Sequence, residues 1–245
     1  MLKLTAVLLV IFAYTSSANL AEGIVEKYLT AIGGKEKINA VKGWEIKISQ
    51  WNAMTKATED VLMKFQGDDA FYVSQKMQGK DNIFVSDGKK SWGISPMLQM
   101  NEVSEIPAEV LPSLKASFEQ TFRLIKGLFL DYKEKGIKVE FLGKEDLNGK
   151  SVNKIKISDP EDKDNVQKMF AYFDNTTKLI SKVNIETPQG NMAFVFKSFK
   201  NDKDATYPDN IDIEMNGNVM ATLNVKYVKV NPKFDASTFA KPKVK

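Results

Sequence analysis

The chain contains no histidine and no cysteine. Without imidazole or thiolate it cannot build a Ser-His-Asp or Cys-His catalytic site, or an ordinary zinc centre. Disulfides are excluded as well, and so is the cysteine that a bacterial lipoprotein needs directly after its cleavage site. Arginine is nearly missing: Arg123 stands alone among 35 basic residues. The lysines alternate with 31 acidic residues instead of clustering, so the basic stripe of a nucleic-acid footprint is absent. Neither a glycine-rich phosphate loop nor a nucleophile elbow occurs. What remains for catalysis is a carboxylate pair or a Ser-Lys dyad, and spacing singles out neither in a chain so rich in lysine and acid. The expectation is a protein that is not an enzyme, with no catalytic residue, no metal, no cofactor and no nucleic-acid partner.

Two local motifs invite a functional reading, and each has a plainer one. The densest acidic stretch, Asp159-Pro160-Glu161-Asp162-Lys163-Asp164, lacks the central glycine and terminal glutamate of a calcium loop and reads as a solvated turn. Asn175-Thr176-Thr177 matches a glycosylation sequon, but a turn suffices.

Long apolar runs are scarce too. Lys3 precedes one from Leu4 to Tyr14, followed by Thr15-Ser16-Ser17-Ala18. That run is about half the ~20 residues a membrane-spanning helix needs, and the order of basic, apolar and small residues is that of a secretory signal peptide. Cleavage after Ala18 is expected. Residues 19–245 would then form a single exported domain, periplasmic, soluble and monomeric, large enough to bury a core without disulfides.

In the mature segment Leu20, Ile24, Tyr28, Leu29 and Ile32 recur at helical spacing and stop at Gly33-Gly34. Lys35 to Val41 reads as one or two more helical turns. From Trp44 the period changes to two. Trp44-Ile46-Ile48, Val61-Met63-Phe65, Phe71-Val73, Ile83-Val85 and Trp92-Ile94 predict successive half-buried strands, joined by Gly67-Asp68-Asp69, Gly79-Lys80-Asp81 and Asp87-Gly88. After Pro96 comes a linker with Met97, Leu98 and Met100. A stripe of Leu111, Leu114, Phe118, Phe122, Ile125, Phe129 and Tyr132 then predicts a helix from about residue 110 to 133, with Pro112 in its first turn and Gly136 beyond its end.

A second run of strands centres on Val139-Phe141, Ile155-Ile157, Met169-Phe173, Leu179-Ile185, Met192-Phe196, Ile211-Met215 and Ala221-Tyr227. Turn residues punctuate it at Asn148-Gly149, Asp174-Asn175, Pro188-Gln189-Gly190 and Asn216-Gly217. The fold class is therefore mainly β with helices. An antiparallel meander of that size must curl, and the two helices are the material available to cover its apolar face.

Several residues read in order carry a family resemblance. They are the opening helix ending Tyr28-Leu29-Thr30-Ala31-Ile32-Gly33-Gly34-Lys35-Glu36-Lys37, the hairpin Ser86-Asp87-Gly88-Lys89-Lys90-Ser91-Trp92-Gly93-Ile94-Ser95-Pro96, the apolar helix after it, and the closing Val230-Asn231-Pro232-Lys233-Phe234-Asp235 with Phe239. Over nearly the whole mature chain this order resembles the LolA-like outer-membrane lipoprotein-sorting proteins. The resemblance implies an unclosed β-barrel under a helical lid, and a carrier that holds the acyl chains of a lipoprotein or lipid. An inner-membrane donor complex and an outer-membrane acceptor are the implied partners. Family carriers place a functional arginine on an early strand, and here no arginine precedes Arg123, so that role is not carried over.

The ligand-lining residues expected on this reading are Trp44, Ile46, Ile48, Met63, Phe65, Phe71, Val73, Trp92 and Ile94 from the strands. Met97 and Met100 would join them from the linker, and Leu114, Phe118, Phe122, Ile125 and Phe129 from the helix. Aromatics offer flat apolar walls and methionines adapt to irregular ligands. The pattern alone is equally that of a solid core. A lipid-sensing regulatory protein of the same fold, with no transport role, is the alternative. An enzyme using two carboxylates on a glycan would need a polar cleft, whereas these positions are apolar.

Overall fold

The computed structural model describes residues 2–77, 79–162, 166–203 and 205–243, with side chains from residue 17 onward apart from that of Met97. Helix α1 (Leu2–Ala31) takes in both the N-terminal apolar run and the stripe beginning at Leu20, so the expected cleavage site after Ala18 lies within one continuous helix. It stops at the glycines: Gly33 and Gly34 have φ of 118° and 92°, and the Gly34 N–H bonds back to the Leu29 carbonyl at 2.9 Å. A short α2 (Lys35–Asn39) follows. Among the described residues no helix is long and apolar enough to cross a membrane.

Strands β1 (Gly43–Asn52), β2 (Thr58–Gln66), β3 (Ala70–Met77), β4 (Lys80–Asp87), β5 (Ser91–Ser95) and β6 (Met100–Glu105) precede α3 (Leu111–Lys126). After it come β7 (Lys138–Leu147), β8 (Lys150–Ser158), β9 (Lys168–Asp174), β10 (Ile180–Thr187), β11 (Gly190–Asn201), β12 (Thr206–Met215) and β13 (Asn218–Val230). All belong to one sheet ordered β6-β5-β4-β3-β2-β1-β13-β12-β11-β10-β9-β8-β7. Short turns join sequential neighbours antiparallel, and β1 pairs with the last strand. With β6 and β7 as edges the sheet is open, in agreement with the expected fold class. Asn148-Gly149 and Asn216-Gly217 make the tight turns their residues demand, with φ of 54° and 79°, and 50° and 80°.

Two elements differ from expectation. Strand β6 occupies part of what the sequence presents as a linker. It lies on an edge with Glu102 and Glu105 exposed, so it needs no apolar alternation, and its pairing of Trp92 with Glu105 and Gly93 with Ser104 makes it a strand. Helix α3 ends at Lys126, well short of residue 133, because Gly127 leaves helical geometry at φ 132° while its N–H caps the Arg123 carbonyl. The apolar residues after Gly127 belong to a turn segment in which Phe129 has φ of 66°.

Both motifs with plain readings keep them. The Asp159 carboxylate accepts from the Glu161 N–H, and that of Asp162 accepts from the N–H groups of Val166 and Gln167. Lys163 and Asp164 lie outside the described residues. The Asn175 amide donates to the Ser151 hydroxyl at 2.7 Å, as a turn residue does.

The chain forms two compact units, one of Met1–Lys35, Phe129–Lys197 and Asp212–Met220, the other of Glu36–Leu128, Ser198–Ile211 and Ala221–Lys245. In the first, α1 buries Ala21, Val25, Tyr28, Leu29 and Ile32 at steps of three or four. Strand residues Val152, Ile155, Ala171, Phe173 and Ile180 are buried in the same unit, and the Tyr28 ring meets Phe173 edge-on at 5.5 Å. In the second unit the buried residues include Trp44, Ile46, Ile48, Met63, Phe71, Val73 and Phe84, with Leu124 and Ile125 of α3.

Candidate functional site

Cross-strand register decides which side chains share a face, because a pleated strand alternates its side chains between two. In the second unit Trp44 pairs with Phe65, Phe65 with Phe71, and Phe71 with Ser86. The next row runs Ile46, Met63, Val73, Phe84 and Gly93, and Ile48 follows opposite Val61. This is the face that α3 covers. Phe122 stacks on Phe65 with centroids 4.3 Å apart and meets Trp44 edge-on at 5.6 Å. One turn earlier Phe118 lies 5.8 Å from Phe71 and 5.6 Å from Phe84. Two rings on the helix thus sit among four on the strands.

Burial along α3 is uneven. Leu124 and Ile125, at the C-terminal end, are buried, whereas Leu114, Phe118 and Phe122 are only half-buried. Toward its N-terminal end the helix rests on the sheet through these half-buried residues and through the ion pair of Lys115 with Asp69 at 3.0 Å.

Several expected residues lie elsewhere. Trp92 pairs with Val85, and Ile94 with Ile83, which puts both on the face opposite Trp44 and Phe65. The sequence segment Ile83-Phe84-Val85 is apolar throughout, so alternation cannot choose between its faces, and it is Phe84 that faces α3. Gly93 occupies the corresponding place on β5, where a Cβ would come within 3.1 Å of the Phe84 ring. The flanking positions are the buried polar residues Asn82, Ser86, Ser91 and Ser95, with the Ser95 hydroxyl donating to Asn82 at 2.6 Å. Phe129, expected on the helix stripe, packs in the first unit against Tyr28, Tyr132 and Phe173. Met100 opens β6 and is half-buried, and the side chain of Met97 lies outside the described residues.

On β1, β2 and β13 the opposite face carries a charged cluster. Glu45 accepts from Lys229 at 2.8 Å and from the Tyr227 hydroxyl at 3.1 Å, with Lys64 3.6 Å away. Burial raises the Glu45 carboxyl pKa, but hydrogen bonds from Lys229 and Tyr227 and the charges of Lys229 and Lys64 outweigh it, leaving the group below the usual glutamate range. Among the described residues no three acidic groups gather as a metal site would require.

The first unit holds a concave feature that the sequence pattern did not single out. It is a groove of about 320 Å³ bounded by Leu20 and Ile24 of α1 and by Phe141 and Phe173 of the sheet. The signal was present, since Leu20 and Ile24 belong to the α1 stripe, but nothing in the stripe distinguishes a groove wall from core.

No family model and no curated protein matches the chain. Solved structures do match, over about nine-tenths of the chain. The fold is LolA-like. The chain is similar to a domain from Vibrio parahaemolyticus described as an outer membrane lipoprotein-sorting protein, with 15% identity, 91% of this chain and 97% of that one covered, and a TM-score of 0.54. It is similar to a LolA superfamily protein from Nitrosomonas europaea, with 12% identity, coverage of 90% and 97%, and a TM-score of 0.53. A DUF1329 family protein from Desulfovibrio piger gives 8% identity, coverage of 89% and 96%, and a TM-score of 0.55. At these identities the likeness is one of fold.

Proposed function

We propose that the chain is a periplasmic carrier that binds the acyl chains of a lipoprotein or lipid between α3 and the apolar face of β1 to β4, and passes them toward the outer membrane. The observation that carries this reading is the half-buried state of Leu114, Phe118 and Phe122 on a helix whose buried residues are Leu124 and Ile125 at its far end. A helix packed as core buries its stripe along its whole length. A helix whose buried residues lie at one end can lift the other, releasing the solvent-exposed Lys115–Asp69 pair and exchanging ring contacts for ligand methylenes, each worth about 0.8 kcal/mol when fully buried. The LolA-like fold supports the same reading, as does the N-terminal segment built like an export signal. No catalytic step belongs to it.

The test is Phe122→Asp, measured by thermal melting and by binding of a fluorescent fatty acid to the purified variant. A charge at this position is costly against an acyl chain, but a helix free to swing outward can hydrate it. Lost binding with a melting temperature near wild type is the expected result. Collapse of the fold, or a folded variant that binds as well as wild type, would overturn the assignment of α3 as a cover.

A further inference from the structure

The groove in the first unit combines an apolar floor with a basic mouth. Phe173 is buried and Ile24 half-buried, while Leu20 stands 54% exposed at the rim, a large apolar side chain left facing solvent beside a concave surface. Three lysines border the same groove, Lys27 from α1, Lys144 from β7 and Lys178 from the turn between β9 and β10. Among the residues that line it Asp174 is the one carboxylate, accepting from the N–H groups of Thr176 and Thr177 at 2.7 and 2.8 Å, and Lys178 donates to the Asn175 carbonyl, so Lys27 and Lys144 are the cations in excess at the mouth.

Lys144 reaches this face through a backbone irregularity. On β7, Phe141 pairs with Ile155, but the next pairing is Gly143 with Lys154, so Leu142 is an extra residue and the alternation shifts by one. Gly143, at φ 133°, supplies the conformation the bulge needs. Without the shift, Phe141 and Lys144 would point to opposite faces. With it, Lys144 stands opposite Asn153, whose other neighbour is Phe173, and all three border the groove. The bulge puts a cation over an apolar floor on an edge strand, where re-aiming a side chain disturbs the ladder least.

We propose that this groove binds a single-chain anionic amphiphile, with Lys144 and Lys27 meeting the head and Phe141, Phe173 and Ile24 holding the first methylenes. Its volume of about 320 Å³ sits at the lower end of ligand pockets, which run from roughly 300 to 1,000 Å³. One chain fits that space, and the several chains of a lipoprotein anchor do not. The unbalanced positive charge selects an anionic head over a neutral or zwitterionic one. The site is independent of the α3-covered face and uses none of its residues.

The test is equilibrium binding of laurate, dodecyl phosphate and dodecanol to the full chain, to Lys144→Gln and to Phe122→Asp. Lys144 is exposed, so its replacement leaves the fold intact. Laurate or dodecyl phosphate is expected to bind wild type in a salt-sensitive manner, and whichever binds tighter identifies the head as carboxylate or phosphate. Lys144→Gln should weaken that binding on the order of tenfold and leave dodecanol unaffected. Phe122→Asp should leave the salt-sensitive component in place. Absence of anionic-amphiphile binding, equal binding by Lys144→Gln, or loss of the salt-sensitive component in Phe122→Asp alone would overturn the proposal. That last result would assign the ligand to the α3 face, and loss of only the salt-insensitive component in Phe122→Asp would leave both readings standing.

Discussion

The contact between Phe122 and Phe65 offers a quantitative check on how tightly α3 is held. Their centroids are 4.3 Å apart with planes inclined by 23°, an offset-stacked pair, and Phe122 also meets Trp44 at 5.6 Å and 72°. Truncating a fully buried phenylalanine to alanine costs about 3–5 kcal/mol. Phe122 is only half-buried, so Phe122→Ala should cost about 2 kcal/mol, above the roughly 0.5 kcal/mol of a surface change. In a double-mutant cycle with Phe65→Ala, the coupling should be about 0.5–1.5 kcal/mol, the worth of an aromatic pair beyond its buried area. Urea unfolding followed by tryptophan fluorescence reads both, since Trp44 borders the pair, and a shifted midpoint at constant slope isolates stability. A single-mutant cost of about 4 kcal/mol or more would mean that α3 is packed as core, and the argument for a liftable helix would fail. Negligible coupling would mean that the rings do not meet in solution.

Four further outcomes are expected. The Glu45 carboxyl has a depressed pKa, so its contribution to stability is complete above the unfolded glutamate value of about 4.3 and is lost as pH falls through the lower folded value. Glu45→Gln should therefore cost about 1 kcal/mol at neutral pH, discounted for the exposed Lys229, and should flatten the acid limb of a plot of melting temperature against pH. Gly127→Ala forces a Cβ onto φ 132° and should destabilise by about 1–3 kcal/mol in chemical denaturation, whereas a helix running on to residue 133 would tolerate or welcome alanine. Gly93→Val adds a branched side chain where a Cβ alone would come within 3.1 Å of Phe84 and 3.4 Å of Ile106, and should cost about 1–3 kcal/mol, an effect absent if β5 presented Gly93 to solvent. Chelator added to purified protein should leave the melting temperature unchanged, because the chain has neither His nor Cys and its described acids form no cluster of three; a fall of several degrees would disprove it.

Local chemistry made much of this fold legible from the residues alone. Asn148-Gly149, Asn216-Gly217 and Gly33-Gly34 act through their own φ preferences, so the turns and the end of α1 fall where the sequence puts them. Alternation located all but one of the strands, the exception being β6, whose place on the edge removes the demand for an apolar face. Missing His and Cys bounded the chemistry without any structure. What the residues could not decide was set by interactions distant in sequence. The face of Trp92 and Ile94 follows from pairing with β4, where three apolar residues in succession leave register as the only arbiter. The end of α3 turned on Gly127, which the apolar stripe runs straight past because Phe129 and Tyr132 are as apolar in a turn as in a helix. The aim of Lys144 depended on one unpaired residue on β7, a bulge that exists only once β8 lies beside it. Periodicity reports which side chains want burial, and only the completed ladder of hydrogen bonds determines the side on which each is buried.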